Sequence, residues 1–303
     1  MISSSFATGA LDTVPKLIHS NSFPTCSQTV ALFYYADTNS VIICDRNAGI
    51  LRYSLKDRKV TARTVQPFLK PVLAAKFTKS ILILGANYQY YIVGVDLKTY
   101  YRFDFRPDCT LVPVGLEITK FEIVLAFGHG LLQFFSTEGE GVGEVDSNLL
   151  SLTSVTWNTE HETLYASGRD RQGLLAVVVV DKDTQTSITV FAIPPLIGKQ
   201  LNSKTILTCN QNNIYLILKE CSRFYEFNKD GLLIQSGYFQ YGNAAINSNS
   251  PIDAIDVFET KEILKRRDEK ISSYHYADGE RMPYRKITEI CVINNSKLFN
   301  FTL

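Results

Sequence analysis

The segment 164–181, LYASGRDRQGLLAVVVVD, sets two apolar strands around a polar turn, and weaker copies of it recur about every forty residues. The copies pair 41–44 with 50–55, 81–85 with 90–96, 123–127 with 131–135, 214–218 with 224–227 and 289–293 with 298–301. Short runs rich in Val, Ile, Tyr and Phe, bounded by Gly, Asn and Asp, favour strand over helix. A strand that is apolar at nearly every position is buried on both faces, so these hairpins occupy the middle of their sheets.

Each hairpin is preceded by a further strand candidate, as at 30–35, 72–77, 152–157 and 251–258. A more polar strand usually follows, as at 59–64 and 186–191. Four strands per unit of roughly 40 to 45 residues is the pattern of a β-propeller blade. The expectation is one all-β domain over residues 1–303, a closed propeller of four-stranded blades. Six blades are expected, with seven as the alternative. A seventh would have to come from 259–286, which separates the last two hairpins and otherwise reads as an inserted loop or short surface helix. Glu262 and Arg266 there have the i,i+4 spacing that supports a helix. Nothing follows the final hairpin, so residues 1–20, and 12–18 within them, are expected to close the last blade and remove a free sheet edge.

The best unit runs from Thr153-Ser154-Val155-Thr156-Trp157-Asn158 into Ala166-Ser167-Gly168, with Asp170 near the middle turn and Val180-Asp181 at the end of the third strand. It resembles the WD40 repeat family, in which that last position usually shows Trp-Asp. The resemblance covers the pattern of most of the chain, and its diagnostic residues are sparse. Trp157 is the sole tryptophan, and the one Gly-His pair, Gly128-His129, falls in a middle turn rather than at a blade entrance. The resemblance implies a rigid platform for other proteins.

With 45% hydrophobic and 20% charged residues the chain has enough apolar surface to close a core. A net charge of +1 gives no field that would gather phosphates over the whole surface, so any nucleic-acid contact must be local. The six cysteines, Cys26, Cys44, Cys109, Cys209, Cys221 and Cys291, form no C-x-x-C pair and have no histidines at metal-ligand spacing. Free thiols and a cytoplasmic or nuclear location are expected. The N-terminus lacks a basic segment followed by an apolar one, and the longest aliphatic run, 174–180, is far shorter than the ~20 residues of a membrane helix. Insertion into a membrane is not expected.

No catalytic, cofactor or metal residues are assigned. Glu160-His161-Glu162 lacks the second histidine of a zinc helix and reads as a solvated turn. Gly139-Glu140-Gly141-Val142-Gly143 has phosphate-loop glycines but acidic neighbours, and reads as an outer turn. The four histidines have no evident nucleophilic or acidic companions, and no small-molecule ligand is indicated. The partner-binding candidates are Leu264, Lys265, Arg266, Arg267 and Tyr284 in the insertion, where aromatic and basic residues alternate. Tyr100 and Arg102 join them, on a strand whose alternation sends Tyr101, Phe103 and Phe105 the other way. The leading function is a non-catalytic scaffold or adaptor in a multiprotein complex. The alternatives are an accessory subunit of an RNA- or DNA-handling assembly, and a propeller enzyme with a channel-lining site.

Overall fold

Along the strand Ser40–Asp45, Val41 and Ile43 pack to one side and Ile42 and Cys44 to the other, and all four are fully buried. A strand alternates its side chains between the two faces of its sheet, so a continuous apolar run needs protein on both. Here those two layers are neighbouring blades. Val41 and Ile43 meet Cys291 and Ile293 of the sixth blade, while Ile42 and Cys44 meet Ile81 and Ile83 of the second. The same division repeats around the ring, and six apolar clusters fill six blade interfaces.

The structure is a computed structural model and describes residues 12–13, 16–22, 28–64, 66, 69–77, 79–105, 111–193, 204–241, 244–245, 252–263, 284–294 and 297–303. Among these residues there are six four-stranded antiparallel blades. From channel to rim, blade 1 is Thr29–Tyr35, Ser40–Asp45, Gly49–Ser54 and Lys59–Thr64. Blade 2 is Pro71–Lys76, Ser80–Gly85, Tyr90–Gly94 and Tyr100–Phe103. Blade 3 is Gly115–Ile118, Glu122–Ala126, Leu131–Ser136 and Gly141–Asp146. Blade 4 is Ser151–Asn158, Thr163–Arg169, Leu175–Asp181 and Thr186–Ile193. Blade 5 is Thr205–Cys209, Asn213–Leu218, Arg223–Asn228 and Leu233–Tyr238. Blade 6 is Ala254–Ile263, Tyr284–Asn294, Lys297–Thr302 and, from the other end of the chain, Lys16–Ser22. Each inner strand touches the next, and blade 6 touches blade 1, so the ring is closed.

The N-terminal closure expected from the sequence is present and reaches further than one blade. Lys16–Ser22 runs antiparallel to Lys297–Thr302, with Leu17 opposite Phe301. Just upstream, Asp12–Thr13 pairs in parallel with Ser236 and Gly237 on the outer strand of blade 5. The terminal segment therefore fastens two blades.

The insertion is corrected in part. Glu259 to Ile263, expected to open a loop or helix, extend the inner strand of blade 6 and pair with Thr288 back to Tyr284. Residues 264–283 lie outside the described residues, and with them Leu264, Lys265, Arg266 and Arg267. No further blade is seen among the described residues.

Candidate interaction surface and central channel

Inner strands begin at one end of the ring, here the upper face, and run to the lower face. In a four-stranded meander the turn between the second and third strands, and the link to the next blade, also lie on the upper face. Asp45 shows how these pieces are joined. Its fully buried carboxylate accepts hydrogen bonds from Asn47 N (2.8 Å) and Ala48 N (2.7 Å) in the blade 1 turn. It also accepts from Gln28 N (2.9 Å) and Thr29 Oγ1 (3.1 Å) in the segment that starts the inner strand. Asp170 caps the blade 4 turn in the same way, accepting from Gln172 N and Leu174 N. Over blade 3 the turn and the following link lie in direct contact. Gly130, with φ +98°, would place a Cβ 2.2 Å from Leu149 O, so glycine is required both by its backbone and by the close approach.

Each inner strand has one edge that its own sheet leaves unpaired, and a buried unpaired N–H or C=O is costly. Side chains from neighbouring blades meet several of these groups. Asp256 of blade 6 accepts from Tyr34 N of blade 1 at 2.6 Å, and Lys76 Nζ of blade 2 donates to Tyr34 O at 2.6 Å. Glu117 of blade 3 accepts from Trp157 N of blade 4 (3.3 Å), and Ser154 Oγ of blade 4 accepts from Leu207 N of blade 5 (3.0 Å). Cys209 Sγ donates back to Trp157 O (3.3 Å). These inter-blade staples surround a channel of about 1640 Å³ lined by all six inner strands.

The channel acids are poorly hydrated. Glu117 and Asp256 are half-buried, each with one side open to the channel and the rest packed in protein. Burial raises Glu117 to about 7, against the backbone hydrogen bonds from Ile118 and Trp157, which lower it. Burial likewise raises Asp256 to about 6, with Lys76 opposing. Burial also pushes the Cys209 thiol up to about 12. Among the described residues no group of three or more His, Cys, Asp or Glu could hold a metal ion.

Charge is segregated along the channel. Its upper mouth is lined by Arg46, Arg169, Lys204, Lys219 and Asp253, with the Glu220 carboxylate beside Lys204. Its lower half carries Lys76, Glu117 and Asp256, together with the Lys120–Glu162 ion pair at 2.9 Å. Exposed apolar residues are segregated too. Among the described residues, the large exposed apolar side chains of the upper face are Tyr88, Leu111, Val112, Val114 and Leu150, all between blades 2 and 4. Val114 and Leu150 flank the Phe127–Gly130 turn, since Val114 N bonds Ala126 O and Leu152 N bonds Gly128 O.

The residues singled out in the sequence fare unevenly. Tyr100 and Arg102 are exposed on the rim strand of blade 2, far in the chain from the insertion candidates. Phe105 is buried against Tyr90 and Phe135 as the alternation predicts, but Tyr101 is 56% exposed. Tyr101 lies on the edge strand of its blade, with no further strand beyond it. Tyr284 opens the second strand of blade 6. Glu160-His161-Glu162 is a turn whose amides are capped by Asn158 Oδ1, with Glu162 salt-bridged to Lys120. Gly139 sits in a turn and Gly141 and Gly143 in the outer strand that follows. Cys44 and Cys291 are free and buried, and Cys209 and Cys221 are free and half-buried. Cys26 and Cys109 lie outside the described residues. Sequence reasoning missed Asp45 and the channel trio Lys76, Glu117 and Asp256. Their signal was a charged residue inside or ending an otherwise apolar strand.

Among the described residues no helix is long and apolar enough to cross a membrane. No family model matches the sequence, and no curated protein matches it. Solved structures do. The chain superposes on the β-propeller domain of Myceliophteria thermophila Cps50 (Swd1) with a TM-score of 0.58 at 8% identity, covering 95% of this chain and 99% of that one. It superposes on the RRP9 WD40 repeats with a TM-score of 0.54 at 9% identity, covering 92% and 78%. For U3-55K the TM-score is 0.54 at 9% identity, with 92% and 79% covered. With its six inter-blade cores and the strand Lys16–Ser22 closing the ring, the chain has the fold of a six-bladed β-propeller, similar to these WD40-repeat structures.

Proposed function

We propose that this propeller is a non-catalytic scaffold that holds a partner protein on its upper face, over blades 2 to 4. The observation that carries the reading is the exposure of Leu111, Val112, Val114 and Leu150 on the links that lead into blades 3 and 4, with Val112 and Val114 lining the channel mouth. Exposed aliphatic residues set singly need no explanation, but a group on one sector of one face is the mark of an interaction site. The links and turns that present them are fixed by backbone bonds and by the close approach at Gly130, so the surface is preorganised and loses little entropy on binding. Such a ring acts as a subunit within a larger assembly.

The test is site-specific photo-crosslinking in cells, with the probe at Leu150 or Val112 and, as controls, at the rim positions Val60 and Ile188. Protein adducts are expected from the upper-face positions. The triple variant Val112→Asp, Val114→Asp, Leu150→Asp should keep its melting temperature, because these side chains are already exposed. An unchanged partner set in that variant refutes the reading.

A further inference from the structure

The upper mouth of the channel combines two features that the docking reading leaves unexplained. Four cations, Arg46, Arg169, Lys204 and Lys219, line it against two carboxylates, Asp253 in the lining and Glu220 beside Lys204, in a chain whose net charge is +1. They come from separate elements: the blade 1 turn, the end of the second strand of blade 4, the start of blade 5 and the blade 5 turn. Lys219 is half-buried and its Nζ donates to Asp253 O at 3.1 Å; burial holds its ammonium below the usual lysine range, with the charge of Lys204 adding to this and the carboxylates of Asp253 and Glu220 opposing it. The mouth thus carries an excess of positive charge on a rigid ring, which attracts and orients an anionic partner. On the same mouth, Val112 and Val114 are 51% and 41% exposed.

We propose that the mouth takes an extended acidic peptide segment of a partner protein, its carboxylates against Arg46, Arg169, Lys204 and Lys219 and its apolar side chains on Val112 and Val114. This rests on the docking reading and adds the chemistry of the partner. A peptide fits better than a nucleic acid because the apolar groups at the mouth are aliphatic, and single-stranded nucleic acid is held by aromatic faces that stack its bases. The lower half of the channel sets the depth of insertion. Glu117 and Asp256 are committed to the inter-blade staples and, when ionised, disfavour a further carboxylate despite Lys76 beside them, so the segment lies across the mouth rather than threading the ring.

The test is fluorescence anisotropy of the full chain with a labelled peptide of alternating Glu and Leu, its Gln-for-Glu counterpart, and a single-stranded RNA of similar length. The Glu peptide should bind, and the Gln peptide should bind about tenfold more weakly or worse. The double variant Arg46→Glu, Lys204→Glu should lose about tenfold for the Glu peptide. Both residues are exposed, so its melting temperature should not change. Val112→Asp should weaken the same peptide. Equal binding of the two peptides, no binding of the Glu peptide at about 1 mM, or undiminished binding by the double variant overturns the proposal. So does RNA binding that is tighter than peptide binding and falls steeply with salt. If the peptide fails while Leu150 still crosslinks to protein, only the charge inference falls; if both fail, the docking reading falls with it.

Discussion

Removing residues 1–22 should loosen the ring by an amount that can be worked out from its seam. The deletion withdraws the seven-residue strand Lys16–Ser22 and the short parallel pairing on blade 5. Ladder hydrogen bonds contribute a net ~1 kcal/mol each. Ordering the strand costs ~1–2 kcal/mol per residue, so these two contributions largely cancel. What remains is apolar area. Leu17 packs in the core between blades 5 and 6, opposite Phe301, whose side chain is fully buried. Re-exposing about 100 Å² of the two at ~25 cal/mol/Å² costs ~2.5 kcal/mol. For a domain of this size that is a fall of ~4 °C in melting temperature. The bare edge of Lys297–Thr302 should also make the protein self-associate. Thermal unfolding followed by circular dichroism, with size-exclusion chromatography, reads both effects. Leu17→Asp separates the apolar contribution from strand loss and should cost most of the same ~2 kcal/mol. A truncated protein that stays monomeric and melts within about 2 °C of the full chain would refute the closure argument.

Three further outcomes follow from particular side chains. Asp45→Ala should cost ~2–4 kcal/mol, because it strips four hydrogen bonds from a fully buried carboxylate and leaves two turn amides without partners; chemical denaturation measures it, and a loss below ~1 kcal/mol contradicts the assigned role. Glu117 has a raised folded-state pKa, so the fold favours its protonated form, and its contribution to stability falls as pH climbs from 4.5 to about 7. Glu117→Gln cannot ionise, so its stability relative to the natural protein should rise across that window, and parallel pH profiles would exclude the effect. Cys44 and Cys291 are buried, with thiols held above their ordinary range by burial, and should resist a thiol reagent in the native protein at neutral pH. After denaturation without reductant they should react fully, and mass spectrometry that shows missing labels would indicate a disulfide.

The blades were legible because their signal is local. Each continuous apolar run is one strand dividing its residues between two interfaces, as Leu164 and Ala166 meet blade 3 while Tyr165 meets blade 5. The closing strand was legible by elimination, since a three-stranded last blade leaves an edge. The extension of blade 6 was not. Glu262 and Arg266 lie one helical turn apart and suggested a helix, whereas the strand partners of Glu259–Ile263 lie more than twenty residues downstream and leave no mark in the local pattern. Tertiary pairing decided against the short-range preference.

The channel charges show why site residues were harder to read than strands. Lys76, Glu117 and Asp256 interrupt apolar inner strands, and in an ordinary sheet a charge there would argue against burial. In a ring, an inner strand has a bare edge beside water, and a charged side chain can satisfy the neighbouring backbone while keeping one side in the channel. Those charges are therefore explained by the architecture alone. Arg46 and Lys204 are different: they are exposed, and the hydrogen bonds that join Arg46 to Gln28 and Lys204 to Glu220 use their backbone N–H groups, leaving the fold indifferent to the cations themselves. A charge that the fold uses and a charge that it does not use have different sensitivities to substitution. Neutralising Glu117 or Asp256 should change stability first, and reversing Arg46 and Lys204 should change binding alone.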